Sequence, residues 1–160
     1  MSGVGFSGKS TLSKKIAAHT GATLVSQDGL FFEKEKELNL NQDNGGHWRM
    51  LLDMCLERTR MLLSEGKSVV FDNINTQHQH REEVRAVALS VGAEPIVVFL
   101  DTPIEVQKGR QERSRITKER HDVKQEYLDQ AIAELEIPGE DENLRIFKPD
   151  TDLNSFLANL

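Results

Sequence analysis

The chain has a single cysteine, Cys55, which excludes an internal disulfide and a cysteine-rich zinc site and fits a reducing, cytoplasmic setting. Proline is scarce, at four of 160 residues, and glycine is ordinary at eleven, which excludes collagen-like and Pro/Gly-rich disordered classes. No apolar run reaches the roughly 18 residues of a membrane span, and no basic segment followed by an apolar stretch opens the sequence. Neither a span nor a secretory signal is expected. Aromatic residues are few, at 6%, and do not cluster, so the stacking surface of a single-strand nucleic-acid binder is lacking. Cations are outnumbered as well. A net charge of −6 argues against a general polyanion-binding surface, which needs many cationic contacts. What is present, 38% apolar and 29% charged residues, describes one globular domain over 1–160.

The charge is nevertheless uneven. Between Lys108 and Lys124, seven cations (with Arg110, Arg113, Arg115, Lys118 and Arg120) face three anions, a local surplus of four. Such a run is ordinarily a solvated helix face.

Along the chain, apolar strands alternate with amphipathic helices. A helix is expected over 8–19, with Leu12 and Ile16 one turn apart, and a short buried strand over 22–27 that runs into Asp28. Residues 33–46 are polar and rich in asparagine, which suggests a mobile connection. A helix from Trp48 to Gly66 follows, then a strand over 68–72 that again ends in a carboxylate, Asp72. Further elements are a helix over 80–91, a strand over 95–100, a helix opened by a Thr102 to Glu105 capping box and another opened by Asp122 and Gln125. A strand over 144–147 and a terminal helix capped by Asp152 complete the series. This alternation predicts an α/β fold, a mostly parallel sheet covered by helices on both faces. Ligands of such sheets gather at the carboxyl ends of the strands, where Asp28 and Asp72 fall.

Gly3-Val4-Gly5-Phe6-Ser7-Gly8-Lys9-Ser10 matches the phosphate-binding loop G-x-x-x-x-G-K-S and opens a predicted helix. Its glycines let backbone N–H groups turn inward around a polyphosphate, the helix start adds positive potential, Lys9 reaches the β/γ oxygens, and Ser10 would ligate magnesium. Gly3-x-Gly5-x-x-Gly8 is also the dinucleotide fingerprint, and Asp28, twenty residues after Gly8, stands where a ribose-binding acid would. Lys9-Ser10 favours the triphosphate, since a dinucleotide fold does not need that pair. Phe31 and Phe32 read as core residues with a lesser claim to an acceptor ring; His78 and His80 read as solvent-facing, as do Arg81 and Arg85; Cys55 reads as core.

The loop through Thr11, Ser26-Gln27-Asp28, the run from Val69 to Asn75, Arg81, Asp101-Thr102-Pro103, Arg110 and Arg113 together resemble the kinase-like P-loop proteins that include polynucleotide 5′-hydroxyl kinases. Zeta toxins and chloramphenicol phosphotransferases are more distant relatives. The resemblance implies a three-layer P-loop fold, with ATP and Mg²⁺ bound by residues 3–11. It implies Asp28 as the base for an acceptor hydroxyl, Asp72 as the acid that helps hold magnesium or the acceptor, Arg81 near the acceptor, and a lid over about 110–124 whose Arg110, Arg113, Arg115 and Arg120 are the candidates to neutralise phosphate. The acceptor could be a small molecule, favoured by the charge, or a nucleotide or polynucleotide end. A nucleotide hydrolase or regulatory protein is the alternative. Two departures stand out: the lid arginines are spaced three and five apart instead of four, and Ile74 replaces the usual threonine. Only Met1 and Ser2 precede Gly3, too few for a strand of the usual five or six residues, so the natural protein is expected to begin earlier or to be cut within that strand.

Overall fold

A computed structural model describes residues 1–117 and 123–160. Its elements run α1 (Lys9–Thr20), β1 (Thr23–Ser26), α2 (Gln27–Lys34), α3 (Gly45–Ser64), β2 (Val69–Asp72), α4 (His78–Ser90), β3 (Val97–Leu100), α5 (Ile104–Thr117), α6 (Gln125–Ala133), a 3-10 turn (Glu140–Glu142), β4 (Leu144–Phe147) and α7 (Leu153–Ala158). The four strands are the four expected ones, and both strand pairs are parallel, as connections through helices require. The fold is α/β.

Contacts divide the chain into two compact units. Met1–Leu12, Ile74–Arg81 and Ile96–Leu160 make up the first, and Ser13–Asn73 with Glu82–Pro95 the second.

In the first unit β3 pairs with β4, Val97 opposite Leu144 and Leu100 opposite Phe147. Ser2 joins β3 by a single parallel bridge: its amide donates to the Val98 carbonyl at 2.8 Å, and its carbonyl accepts from the Leu100 amide at 3.0 Å. One residue thus does ladder work for which a whole strand was expected. Its hydroxyl donates to the Asn75 carbonyl, and the Asn75 side-chain amide donates to the Met1 carbonyl, so the start of the chain is held on a second side. Val4, Phe6, Leu128 and Ala131 form the core here, which packs α6 under the glycine loop.

In the second unit β1 lies beside β2 in a register that sets Ser26 opposite Asp72. Val25, Cys55 and Phe71 form its core, flanked by Leu52 and Leu56 of α3 and Val84 of α4. A second cluster joins Phe31, Leu40 and Leu51, with Phe31 stacked on Trp48 at 4.8 Å between ring centroids.

Several local expectations are corrected. Asp28 does not end a strand: β1 stops at Ser26, whose hydroxyl accepts from the Gly29 amide and caps α2, and Asp28 lies exposed in the first turn of that helix. The polar connection is shorter than predicted, since α2 runs to Lys34 and α3 begins at Gly45, and Leu40 between them is buried. The two phenylalanines part company, Phe31 being 0% and Phe32 43% exposed. The Thr102 box is not formed, since Thr102 and Glu105 share no hydrogen bond, and the Thr102 hydroxyl donates to the Ser7 carbonyl. Helix α6 is preceded by Lys124 with no side-chain cap, and Asp122 lies outside the described residues. The Asp152 cap is present, accepting from the Ser155 amide at 2.8 Å.

Candidate active site

The glycine loop and α5 belong to the first unit. Gly3 and Gly8 take φ of 142° and 106°, conformations that side-chain-bearing residues rarely adopt, and a Cβ on Gly3 would stand 3.2 Å from Ser7 Oγ. Phe6 is left-handed as well, at φ 62°, a strained choice for a non-glycine residue of the kind that collects at ligand-binding turns. The Ser7 amide donates to the Val4 carbonyl, and α1 begins at Lys9, with both the Thr11 and Leu12 amides donating to the Gly8 carbonyl. Among the described residues the amides of Gly5, Gly8 and Ser10 have no acceptor. Ser7 Oγ is buried with no hydrogen-bond partner. Lys9 Nζ donates to the Gly3 carbonyl at 2.6 Å and the Val4 carbonyl at 3.0 Å, which holds the ammonium against the loop.

An unpartnered buried hydroxyl and a row of free N–H groups at a helix start are what a bound polyphosphate would satisfy. The residues present therefore fit the tail of a nucleoside triphosphate.

The arginines of α5 differ from one another. Arg110 is bonded to the loop: its Nη1 donates to the Phe6 carbonyl at 3.0 Å and to the Ser7 carbonyl at 2.8 Å. Arg113 and Arg115 are exposed farther along the helix, and Arg120 and Lys118 lie outside the described residues.

The two carboxylates belong to the second unit. Asp72 ends β2 opposite Ser26, and Asp28 follows Ser26 by two residues, so adjacent parallel strands bring both acids to one edge of their sheet. Asp72 is only 6% exposed, yet its carboxylate has no hydrogen-bond or ionic partner among the described residues. Its oxygens keep some contact with solvent. Magnesium, which takes one or two carboxylates and hydroxyl or water oxygens, suits a hard donor of this kind.

Arg81 is not a surface charge. It is 3% exposed, and its guanidinium grips Glu142, itself 2% exposed, through Nε at 2.6 Å and Nη2 at 2.9 Å. Its remaining nitrogen, Nη1, donates to the Thr76 and Glu136 carbonyls at 3.0 Å. Burial alone would push the Glu142 carboxyl up, but the Arg81 hydrogen bonds, the Gly139 amide and the nearby positive charge prevail and hold it below the ordinary glutamate range. Sequence reasoning missed this pair because its members lie 61 residues apart. Gln107 was missed too; its side-chain amide donates to the Thr102 carbonyl from a buried position.

A family model described as an AAA domain, AAA_33, matches residues 1–138. The chain belongs to this AAA domain family. Solved structures similar to this AAA domain include an unliganded sugar kinase of Janibacter sp. HTCC2649, at 22% identity and a TM-score of 0.72, over 99% of this chain and 88% of that one. The APS kinase CysC of Mycobacterium tuberculosis, solved with AMPPNP and APS, matches at 20% identity and a TM-score of 0.69, over 99% and 91%. Kti12 of Chaetomium thermophilum, solved with ADP-AlF3, matches at 15% identity and a TM-score of 0.78, over 99% and 94%. At such identities the likeness is one of fold, and that fold is the P-loop kinase fold the loop motif implied. No curated protein matches the sequence. Among the described residues no helix of this AAA domain is long and apolar enough to cross a membrane.

Proposed function

We propose that this AAA domain is an ATP-dependent phosphotransferase that moves the γ-phosphoryl group to a hydroxyl of a small molecule or of a nucleotide or polynucleotide end. The observation that carries the reading is the loop itself, with Ser7 Oγ buried and unpartnered and the Gly5, Gly8 and Ser10 amides without acceptors. Nucleotide-bound relatives of the same fold support it.

Phosphoryl transfer passes through a loose transition state, so the chain's work is positioning and charge neutralisation. Gly3, Gly5, Phe6, Ser7, Gly8 and Thr11 shape the cradle, and the Lys9 ammonium moves from the loop carbonyls to the β/γ oxygens. The Ser10 hydroxyl and the Asp72 carboxylate would be the side chains to hold magnesium, which would supply further positive charge. Asp28 accepts the proton of the acceptor hydroxyl. The acceptor oxygen bonds to the γ-phosphorus as the bond from that phosphorus to the β–γ bridging oxygen breaks, and ADP leaves. Arg113 and Arg115 neutralise the equatorial oxygens.

Release of product from γ-labelled ATP, measured with and without a panel of hydroxyl acceptors, tests the assignment. At least one acceptor is expected to stimulate turnover. Asp28→Asn should keep ATP affinity and lose transfer by about 10²- to 10⁴-fold. Hydrolysis that no acceptor stimulates would make this domain a nucleotide hydrolase instead.

A further inference from the structure

Arg110 and the loop carbonyls it holds are more than a hundred residues apart in sequence, and the contact is part of a wider arrangement. The Ser7 carbonyl accepts two donors, Arg110 Nη1 at 2.8 Å and Thr102 Oγ1 at 3.0 Å. Thr102 is itself fixed, since its own carbonyl accepts from Gln107 Nε2 at 2.6 Å. A helix start and a helix middle thus pin one peptide of the loop from the same side.

A trans peptide is planar, and its C=O and N–H point in opposite directions. With the Ser7 carbonyl drawn toward Arg110 and Thr102, the N–H of the same peptide, which belongs to Gly8, turns away from them. That amide has no acceptor among the described residues. Holding the Phe6 carbonyl likewise fixes the direction of the Ser7 amide, which donates to the Val4 carbonyl and closes the turn. A Cβ at Gly8 would stand in ordinary contact with Arg110 Nη1, at 3.4 Å, so glycine serves the φ of 106° there and not the approach of the arginine.

The geometry points to Arg110 as a positioning residue that, with Thr102, braces the carbonyl side of the loop so that its N–H side is preorganised for phosphate. This replaces the expectation that Arg110 neutralises the γ-phosphate, and it rests on the nucleotide reading of the loop. The two roles separate on ADP. A contact to the γ-phosphate cannot affect ADP, whereas a brace acts on every phosphate that the loop amides hold.

The test measures Mg-ADP and Mg-ATP affinity by displacement of a fluorescent nucleotide, and hydrogen exchange of the loop amides in nucleotide-free protein. Arg110→Ala is expected to weaken ADP and ATP by the same factor, roughly tenfold or more given the strength of hydrogen bonds from charged donors, and to speed exchange at Ser7. Arg110→Lys, which can reach one carbonyl, should recover part of the loss, and added guanidinium ion should restore nucleotide affinity to the alanine variant. Thr102→Val should show a smaller loss in the same direction, and it carries the test if Arg110→Ala does not fold. Weakening confined to ATP, with ADP affinity and loop exchange unchanged, would overturn the brace. Wild-type protein that bound neither nucleotide would defeat the nucleotide reading and with it the purpose of the brace, while the exchange rates would still report whether Arg110 orders the loop.

Discussion

Glu142 and Asp72 are both buried carboxylates, and they keep opposite company. Glu142 receives two hydrogen bonds from Arg81 and a third from the Gly139 amide, so its charge is met by an opposite charge and a backbone dipole. Asp72, at the end of β2, has no such partner among the described residues. The same chemical group is a structural rivet in one region and an open valence in the other. Glu142 is closed off by its partners, whereas the Asp72 oxygens keep contact with solvent and are open to a ligand.

The comparison is sharpest under parallel substitution. Glu142→Gln leaves the Arg81 charge buried without its counterion and should cost about 3–5 kcal/mol, read as a lower urea midpoint. Asp72→Asn breaks no hydrogen bond or ion pair among the described residues and should leave stability within about 1 kcal/mol of wild type, while transfer activity and its magnesium dependence fall. Equal losses of stability at the two positions would break the distinction.

Acid extends the same contrast. The Glu142 carboxyl titrates below its unfolded value, so the stabilisation it brings is fully present above that unfolded value and is lost as pH falls through the lower folded one. Urea midpoints of the wild type should therefore drop in that acid window, and those of Glu142→Gln should drop less. Identical acid profiles would remove Glu142 from the account. The smallest effect belongs to a third buried ionisable group. Burial pushes the Cys55 thiol up to about 11, so a thiol reagent at about pH 8 should leave folded protein unlabelled and react only on unfolding.

Much of the fold was legible because local rules and tertiary packing agree. Leu144 to Phe147 reads as a short strand and is one, and Asp152 sits where a cap is needed and caps. The Gly3 to Ser10 spacing was legible because it is a backbone requirement written in glycine. Helix α2 was not, since it follows β1 without an intervening loop and only the Ser26 cap, three residues before Gly29, marks its start. Other features were illegible for a deeper reason. Thr102 has every local mark of a helix cap, yet its hydroxyl's partner is a carbonyl 95 residues away, which no local pattern shows. Arg81, among half-buried neighbours in a polar helix, finds its counterion only through the folded chain. Nor does sequence distinguish Arg110 from Arg113; the bond to the loop does.

The central claim is that residues 3–10 bind the phosphates of a nucleotide. Titration calorimetry of wild type and Lys9→Ala with Mg-ATP addresses it directly. The account predicts a dissociation constant between about 1 μM and 1 mM for wild type and a loss of at least about tenfold in the variant. Folded wild-type protein that takes up no Mg-ATP at millimolar concentration, or a variant that binds as well as wild type, would contradict it.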